Sequence, residues 1–330
     1  MAEFLTFDTD LTAVANAIRA KGGTSAQLIY PNGFVSAIQA IQTGITPKLV
    51  ITTAPGASIT ATPAEGFKVV KGTAGTDGMC TLELPKAGTW HVTAMANSVS
   101  NSQHIVIGTQ SMLLPLYHDT FADNTWEEII AVCRTGIAPD SWAVGDSKTM
   151  TIGGTAYQVD IIGKNHDEYA DGSGTAPLTF QLHDCYSEAK QMYSTNLSGL
   201  GWKNTDMRLT YLPAILALMP AEVKNGIRAV NKKTSEGGNS TTIETVSDTL
   251  FLLSEVEIFG TASSSVAGEG SQYDYYKAGN PKIKKREGVD EFWWERSSAS
   301  GGMFCRVREN GQAGASNASN SLGVSFAFCF

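Results

Sequence analysis

Cysteine is scarce in this chain, and long apolar runs are missing. The five cysteines are scattered along 330 residues, are odd in number and form no Cys-x-x-Cys pair. This pattern argues against a disulfide scaffold and against a zinc site, and it suits assembly in a reducing cytoplasm. No stretch approaches the roughly 18 consecutive apolar residues that a membrane-spanning helix needs, so the sequence predicts no membrane insertion.

Several motifs of enzymes and of exported proteins are also missing. The chain has no Gly-x-Ser-x-Gly nucleophile motif, no Gly-rich phosphate loop, no dinucleotide fingerprint and no His-Glu-x-x-His zinc motif. Acidic residues at Glu3, Asp8 and Asp10 interrupt the start before any apolar segment, so no signal peptide is expected. We therefore expect a protein that is not an enzyme and that carries neither a cofactor nor a metal.

The charge balance is acidic, with a net charge of −8 and a pI near 5.2. A nucleic-acid partner is not expected, because binding to a phosphate backbone needs a basic face. The one basic cluster comprises Lys282, Lys284, Lys285 and Arg286, and acidic residues follow it at once. We interpret this cluster as a solvated loop rather than as a phosphate site.

The length suits two or three domains, and the first 46 residues form the first predicted domain. Helical spacing is carried by Leu11, Val14, Ala15 and Ile18, and Gly22 ends that helix. A second short helix is predicted over residues 34–44. Two such helices are marginal alone. Residues 1–46 are therefore predicted to be a helical docking or oligomerisation module.

Residues 47–110 change to a period of two. Six short strand candidates alternate apolar and polar residues, and Gly-containing turns separate them. They lie at 49–51, 58–62, 68–70, 80–84, 90–94 and 104–107. This spacing predicts a small β-sandwich, which we interpret as a spacer without chemistry of its own.

Residues 111–330 mix helices and strands, which predicts an α+β fold class. Helices are expected over 126–134, 207–219 and 222–230. Strands are expected over 142–146, 148–152, 156–163, 249–253 and 256–259, with Gly153-Gly154 as a hairpin turn.

Blocks of residues in this chain resemble known families. Residues 11–44 resemble an N-terminal module of tail proteins from phages of Gram-positive gut bacteria, and residues 84–94 resemble the closing hairpin of Ig-like spacer domains. Further blocks resemble domains of phage tail and bacterial surface proteins, which look related to the C-type-lectin-like fold of formylglycine-generating enzymes and retroelement-diversified receptor-binding proteins. They lie at 161–167, 178–182, 201–202, 206–208, 211–213, 252–258, 269–273 and 293–297.

His166 and several acidic residues are candidates for a metal-binding or catalytic site. The stretch from His166 to Asp171 fits no calcium or zinc spacing, and the resemblance implies that His166 and Asp167 brace a turn. Glu255 and Glu257 would share one face of a strand, where they are either catalytic carboxylates or, as we favour, part of a salt-bridge network. The expected cationic partners of that network are Arg208 and Arg296.

Two aromatic residues and two cysteines near the C-terminus also have competing interpretations. Trp293 and Trp294 either face opposite sides of a strand, with one partly exposed for stacking on a sugar, or both pack below the following segment. Cys305 suggests formylglycine-type oxidation, but such enzymes need a paired cysteine, and Cys329 lies in a predicted buried strand. We favour the interpretation without catalysis.

The segment 298–321 is rich in Ser, Ala, Gly and Asn, and rigid apolar blocks bracket it. We expect an exposed binding loop on a rigid frame. In retroelement-diversified proteins, Asn-type codons vary near the C-terminus, and this composition fits their products. It is also typical of any flexible loop, so both interpretations stand. The predicted ligand-binding residues are Glu295, Ser298, Ala299, Ser300, Cys305, Arg306, Arg308, Asn310, Ala313, Ala315, Asn317, Ala318 and Asn320.

The resemblance implies a phage tail receptor-binding protein, made in the bacterial cytoplasm and carried in the tail of the virion. Its expected partners are a host-cell surface protein or glycan, other phage tail proteins, and further copies of this chain in a homotrimer. The alternative is a structural tail or baseplate protein that binds no ligand. A third hypothesis, an enzyme acting on host glycans, has the least support.

Overall fold

The computed structural model describes residues 8–22, 28, 47–53, 55–64, 68–96, 99–108, 112–115, 117–136, 138–197, 199–238 and 240–330. The chain divides into two compact units, Met1–Leu116 and Tyr117–Phe330. Helices and strands are mixed, strands predominate, and they form several small sheets. The predicted α+β fold class is therefore confirmed at this coarse level.

The first described element is a helix, Asp8–Gly22, which ends at the predicted glycine. Ala15 and Ile18 are buried, and Leu11 packs against them, as the helical spacing predicted. Val14 is 47% exposed, so its predicted place in the apolar stripe is wrong. The second predicted helix, over 34–44, lies outside the described residues.

Two small sheets follow in the same unit. The described strands are β1 Lys48–Thr52, β2 Ser58–Pro63, β3 Val70–Thr73, β4 Met79–Glu83, β5 Gly88–Ala96, β6 Val99–Ile107 and β7 Met112–Pro115. One sheet has the order β4-β1-β7, with β7 parallel to β1, and the other has the antiparallel order β3-β2-β5-β6. Leu49 and Leu82 from the first sheet share a core with Trp90 and Val92 from the second, so alternation correctly predicted the inward faces.

The larger unit contains short helices and four small sheets among its described residues. Its helices are Trp126–Thr135, Ala138–Ser141, Leu212–Leu218, Ala221–Gly226, Glu255–Phe259 and Asp274–Lys277, with a π-helical turn at Met207–Tyr211 and 3₁₀ turns at Phe121–Asp123 and Trp202–Asn204. Its strands are β8 Ser147–Ile152, β9 Thr155–Lys164, β10 Leu178–Leu182, β11 Val230–Ser235, β12 Ile243–Asp248, β13 Lys284–Arg286, β14 Val289–Glu291, β15 Trp293–Ser298, β16 Met303–Val307, β17 Ala313–Asn317 and β18 Ala327–Cys329.

The sheets of this unit have the orders β18-β10-β9-β8, β11-β12, β13-β14 and β15-β16-β17. The last strand, β18, pairs with β10, so the C-terminal residues lie in the central core. Phe180 of β10 stacks on Phe328 of β18, with ring centroids 5.2 Å apart. No described helix is long and apolar enough to cross a membrane.

Some predicted elements of this unit are confirmed. The helix Trp126–Thr135 begins with a reciprocal capping box between Thr125 and Glu128. Gly153 and Gly154 both have positive φ angles and form the β8–β9 hairpin turn. The helix predicted over 207–219 is present, but it opens as a π-helical turn, and the next helix stops at Gly226 rather than at residue 230.

Three predicted strands are wrong. Over 142–146 the chain forms a turn, because the Asp146 carboxylate accepts a hydrogen bond from the Ala143 N–H at 2.8 Å. Over 249–253 the chain begins with a bend at residues 249–250, Leu250 to Leu253 are buried, and Phe251 alone forms a β-bridge, with Ala327. The segment 256–259 lies in a helix, because Ser254 opens that helix with a capping box.

Candidate functional site

A buried network of charged side chains lies inside the larger unit. The Lys232 ammonium on β11 lies 2.6 Å from Asp167 Oδ1 and 2.7 Å from Glu257 Oε1. Arg296 on β15 donates to both oxygens of Glu257. The Tyr273 hydroxyl donates to Asp167 Oδ2 at 2.8 Å. Each of these side chains is almost completely buried, so the partners neutralise one another where water is absent.

The network lowers the pKa of two carboxyl groups. Burial alone would raise the pKa of Asp167, but the charges and hydrogen bonds of Lys232 and His166 together outweigh burial, and that pKa lies below its usual range. Burial alone would also raise the pKa of Glu257. The positive charge of Arg296, and to a smaller extent that of Lys232, lowers this pKa instead. Both groups are therefore carboxylates at neutral pH, and their task is to hold β11, β15 and the helix Glu255–Phe259 together.

The predicted salt-bridge network is confirmed in part. Arg296 pairs with Glu257, as expected, but Arg208 pairs instead with Asp248, at 2.6 Å from Nε to Oδ1. Glu255 takes another partner set, because residues 254–259 form a helix and not a strand. Its carboxylate accepts hydrogen bonds from the backbone N–H groups of Ser263, Ser264 and Ser265.

Two further buried carboxyl groups form no ion pair with the described residues. In that part of the chain, both oxygens of Glu295 and one oxygen of Glu269 have no hydrogen-bond partner. Burial raises the pKa of Glu295 well above its usual value, and the negative charges of Glu255 and Glu269 add to that effect. Burial likewise raises the pKa of Glu269. The interior therefore holds Glu295 as a neutral acid more readily than as a carboxylate.

An open polar cavity adjoins this network, with a volume of about 480 Å³. Asp167, Lys232 and Glu257 line it, together with His166 and Gly270. A volume of this size is typical of small-molecule sites. The three N–H donors of Lys232 are already taken by Asp167, Tyr273 and Glu257, so its ammonium is not free to bind or attack a ligand.

His166 braces the rim of the cavity. Its Nε2 lies 3.1 Å from the Ser271 carbonyl oxygen, and its ring stacks on Tyr273 with centroids 3.9 Å apart. These contacts tie the loop after β9 to residues 271–273. Among the described residues, no group of three or more His, Cys, Asp or Glu side chains is arranged to hold a metal ion.

The segment predicted as an exposed loop is largely a β-hairpin. β16 pairs with β15 on one side and with β17 on the other, so much of residues 298–321 has a defined register. Trp293 and Trp294 on the neighbouring strand β15 are both fully buried, so the interpretation with one exposed tryptophan is wrong. Their indole N–H groups donate to the carbonyl oxygens of Lys282 and Lys190.

Five of the predicted ligand-binding residues are buried, which contradicts their expected exposure. They are Glu295, Ser298, Ala299, Cys305 and Ala318, each at most 2% exposed. The physical reason is that the segment pairs as a sheet packed into the larger unit: every residue of β15 is buried, and so are Phe304, Cys305 and Val307 of β16. Burial raises the pKa of the Cys305 thiol, and its Sγ faces Glu255, which keeps the thiol protonated and unreactive.

The remaining eight predicted residues are at least partly open to solvent. Ser300, Arg308, Asn310, Asn317 and Asn320 are exposed, and Arg306, Ala313 and Ala315 are half-buried. Arg306, Ala313, Ala315 and Asn317 lie on the paired strands β16 and β17, and the others lie in the connections at their ends. We call these eight residues the hairpin face. A rigid sheet therefore presents short or polar side chains together with two arginines.

Sequence reasoning missed Lys232 and Tyr273, which belong to the network, and the buried carboxyl group of Glu269; Lys232 also lines the cavity. Lys232 lies between two inward-facing residues of β11, Val230 and Thr234. This alternation is the sequence pattern that would have placed Lys232 on the inward face. A lysine at such a position is ordinarily assigned to solvent. Its burial depends on Asp167 and Glu257, which are distant in sequence.

Residues 179–330 match a family model described as a domain of unknown function, DUF6273. This part of the chain includes β11, the hairpin face and the cavity-lining residues other than 166–168. No curated protein matches the chain.

Proposed function

We propose that this chain is a phage tail-associated receptor-binding protein that uses the hairpin face to bind a surface protein or glycan of the host cell. The observation that carries the proposal is that the hairpin face is open to solvent, whereas the neighbouring strand β15 is buried. Exposed Asn310, Asn317 and Asn320 lie on or beside a sheet whose first strand, β15, is buried along its whole length and includes Trp293 and Trp294. Side chains on such a support can vary while the backbone keeps its geometry.

Each part of the chain has its own role in this receptor-binding function. Residues 1–46 dock or trimerise the protein in the virion tail, residues 47–110 form an Ig-like spacer, and residues 111–330 form the C-type-lectin-like binding domain. Several copies on one particle multiply a modest affinity at each site. The resemblance of the sequence blocks to phage tail proteins supports this assignment, as does the α+β architecture.

Cell binding tests this function. Purified full-length protein is incubated with a panel of Gram-positive gut bacteria, beside a variant in which Asn310, Asn317 and Asn320 are each replaced by Asp. The control variant replaces Lys224 and Asn225, which are exposed on a different surface element of the same unit. We expect cell binding to fall for the hairpin variant alone. Undiminished binding of that variant would contradict the proposal.

If a retroelement diversifies the C-terminus, the surrounding genome sequence should contain two features. A near-repeat of the coding segment for residues 298–321 should lie beside a reverse-transcriptase gene. Its substitutions should fall at codons of the hairpin face, such as those of Asn310 and Asn317, and spare the codons of buried Phe304 and Val307. A repeat whose differences fall on the buried codons would argue against diversification for display.

One observation favours the alternative, a structural tail or baseplate protein. Four leucines of the larger unit are between 46% and 56% exposed: Leu197, Leu200, Leu209 and Leu218. Exposed apolar side chains are typical of protein–protein contacts. Retention of particle assembly, but not of cell binding, in the hairpin variant would separate the receptor-binding role from this one.

A further inference from the structure

Two arginines of the hairpin face lie side by side on one surface of the sheet. Arg306 lies on β16 and Arg308 follows the end of that strand, and both are next to Gly314 of β17 on the same side of the sheet. Gly314 of β17 pairs with Arg306. The Arg308 side chain lies across Gly314, because a Cβ atom at that position would be only 2.9 Å from Arg308 Nε.

The Arg306 side chain is held in place before any ligand arrives. Its guanidinium lies over the Phe292 ring, 3.9 Å from the ring centroid. Its Nε donates to the Ala315 carbonyl oxygen at 3.2 Å. The terminal nitrogens of Arg306 make no hydrogen bond with the described part of the chain, so the fork of donors is oriented and unused.

Neither arginine has an ion-pair partner within the part of the chain that the structure describes. Burial and the positive charge of Arg308 both lower the pKa of Arg306, and nearby Glu309 only partly offsets this effect. Two like charges repel, and this chain carries a net charge of −8 with acidic residues in excess. The two guanidinium groups therefore form a local positive charge in an acidic protein. A bound anion would offset the repulsion between them.

We propose that Arg306 and Arg308 form a binding site for an acidic group, a carboxylate or a phosphate, on a cell-surface polysaccharide. The inference rests on the proposed receptor-binding function and names the chemistry of its ligand. Guanidinium forks match the planar oxygen pairs of such groups, and Arg306 approaches them with its orientation fixed by Phe292. Two arginines are too few for the extended phosphate run of a nucleic acid, which favours a polysaccharide.

Matched polymers test the ligand chemistry directly. Binding of the full-length protein is measured by surface plasmon resonance on immobilised neutral dextran, carboxymethyl dextran and phosphorylated dextran, with duplex DNA as a fourth surface. At least one acidic dextran should bind about tenfold more tightly than neutral dextran, a difference of about 1.4 kcal/mol, and lose affinity at high ionic strength. The preferred acidic dextran separates carboxylate-bearing from phosphate-bearing polymers.

The variant R306Q/R308Q should lose this preference for acidic dextran. The control K224Q/K277Q removes the same charge from two exposed lysines outside the hairpin face and should keep the preference. R308Q alone, at an exposed position, provides a variant that retains the fold, as circular dichroism would verify. Equal binding to neutral and acidic dextrans, equal losses in both double variants, or a preference for DNA would each overturn the inference.

The same variants on cells separate the two proposals. If the native protein binds host cells and R306Q/R308Q binds them equally well, the acidic-ligand inference fails and the receptor-binding function stands. If the native protein binds no cell in the panel, the receptor-binding function fails, whatever the dextran surfaces show.

Discussion

Arg296 and Glu257 form a doubly hydrogen-bonded ion pair in the interior of the larger unit, and both side chains are at most 1% exposed. The pair joins β15, which supports the hairpin face, to the helix that borders the cavity. Arg296 also donates to the carbonyl oxygens of Leu252 and Lys233, so one side chain ties together three parts of the chain.

Replacing Arg296 by Met is expected to destabilise the larger unit by about 3–5 kcal/mol, because it leaves a buried carboxylate with one cation fewer. Urea unfolding followed by tryptophan fluorescence measures this loss, since five of the six tryptophans lie in that unit. The control is Lys203→Met, which breaks a half-exposed pair with Glu244 and should cost at most about 1 kcal/mol. Equal losses in both variants would show that burial does not strengthen the Arg296 pair.

Ionised Asp167 should make the stability of the larger unit fall in acid. Its folded-state pKa is lowered, so its contribution is fully present above the unfolded pKa of about 3.9 and is lost as the pH falls through the folded value. Asp167→Asn should therefore lower stability at neutral pH and flatten the decline below about pH 4. The free energy of unfolding is measured across this range. Parallel curves for the two proteins would contradict the assignment.

Glu295 should have the opposite dependence on pH. Its folded-state pKa is raised, so its ionisation penalises the folded state increasingly as the pH rises above the unfolded value of about 4.3. Glu295→Gln keeps the shape and removes the titration. We expect the variant to gain stability relative to the native protein between about pH 5 and about pH 8. Thermal unfolding at these two values measures the gain, and Glu309→Gln, at an exposed position, should show none.

Gly270 is expected to resist substitution because of both its backbone and its surroundings. Its φ angle is +113°, and an added Cβ would lie 2.8 Å from Glu257 Oε1. Gly279 also has a positive φ angle, +85°, but its Cβ would meet no atom within 4 Å. Gly270→Ala should cost more than Gly279→Ala, which carries the backbone strain alone, of about 1–3 kcal/mol. Equal unfolding midpoints would show that Glu257 can move away without loss.

Local patterns were sufficient to predict much of the secondary structure. The helix predicted over 126–134, the Gly153-Gly154 turn and the alternation in β1, β2, β4 and β5 depend on residues close together in the sequence. The helix at 255–259 was predictable by the same kind of signal, the Ser254 and Glu257 capping box. The short apolar run Val256 to Phe259 instead suggested a strand, since periodicity cannot separate the two at that length.

The candidate site was less predictable. Composition indicated that residues 298–321 lack a helical or core pattern, and eight of the predicted positions do lie at least partly open to solvent. The burial of Glu295 and Cys305 could not be predicted from the sequence. It follows from the pairing of β15 with β16 and from the packing of this sheet on the helix at 255–259. An isolated glutamate carries no local sign that other carboxyl groups will surround it.

The α+β class, most strand positions in residues 47–110 and the small, polar character of the C-terminal segment follow from local spacing and composition, so they could be predicted from the sequence. The contacts of Lys232 with Asp167 and Glu257, and the position of Arg306 on Phe292 beside Arg308, appear only in the folded chain. Those relationships join residues from different strands and loops, and their strength comes from exclusion of water, which no single segment achieves alone.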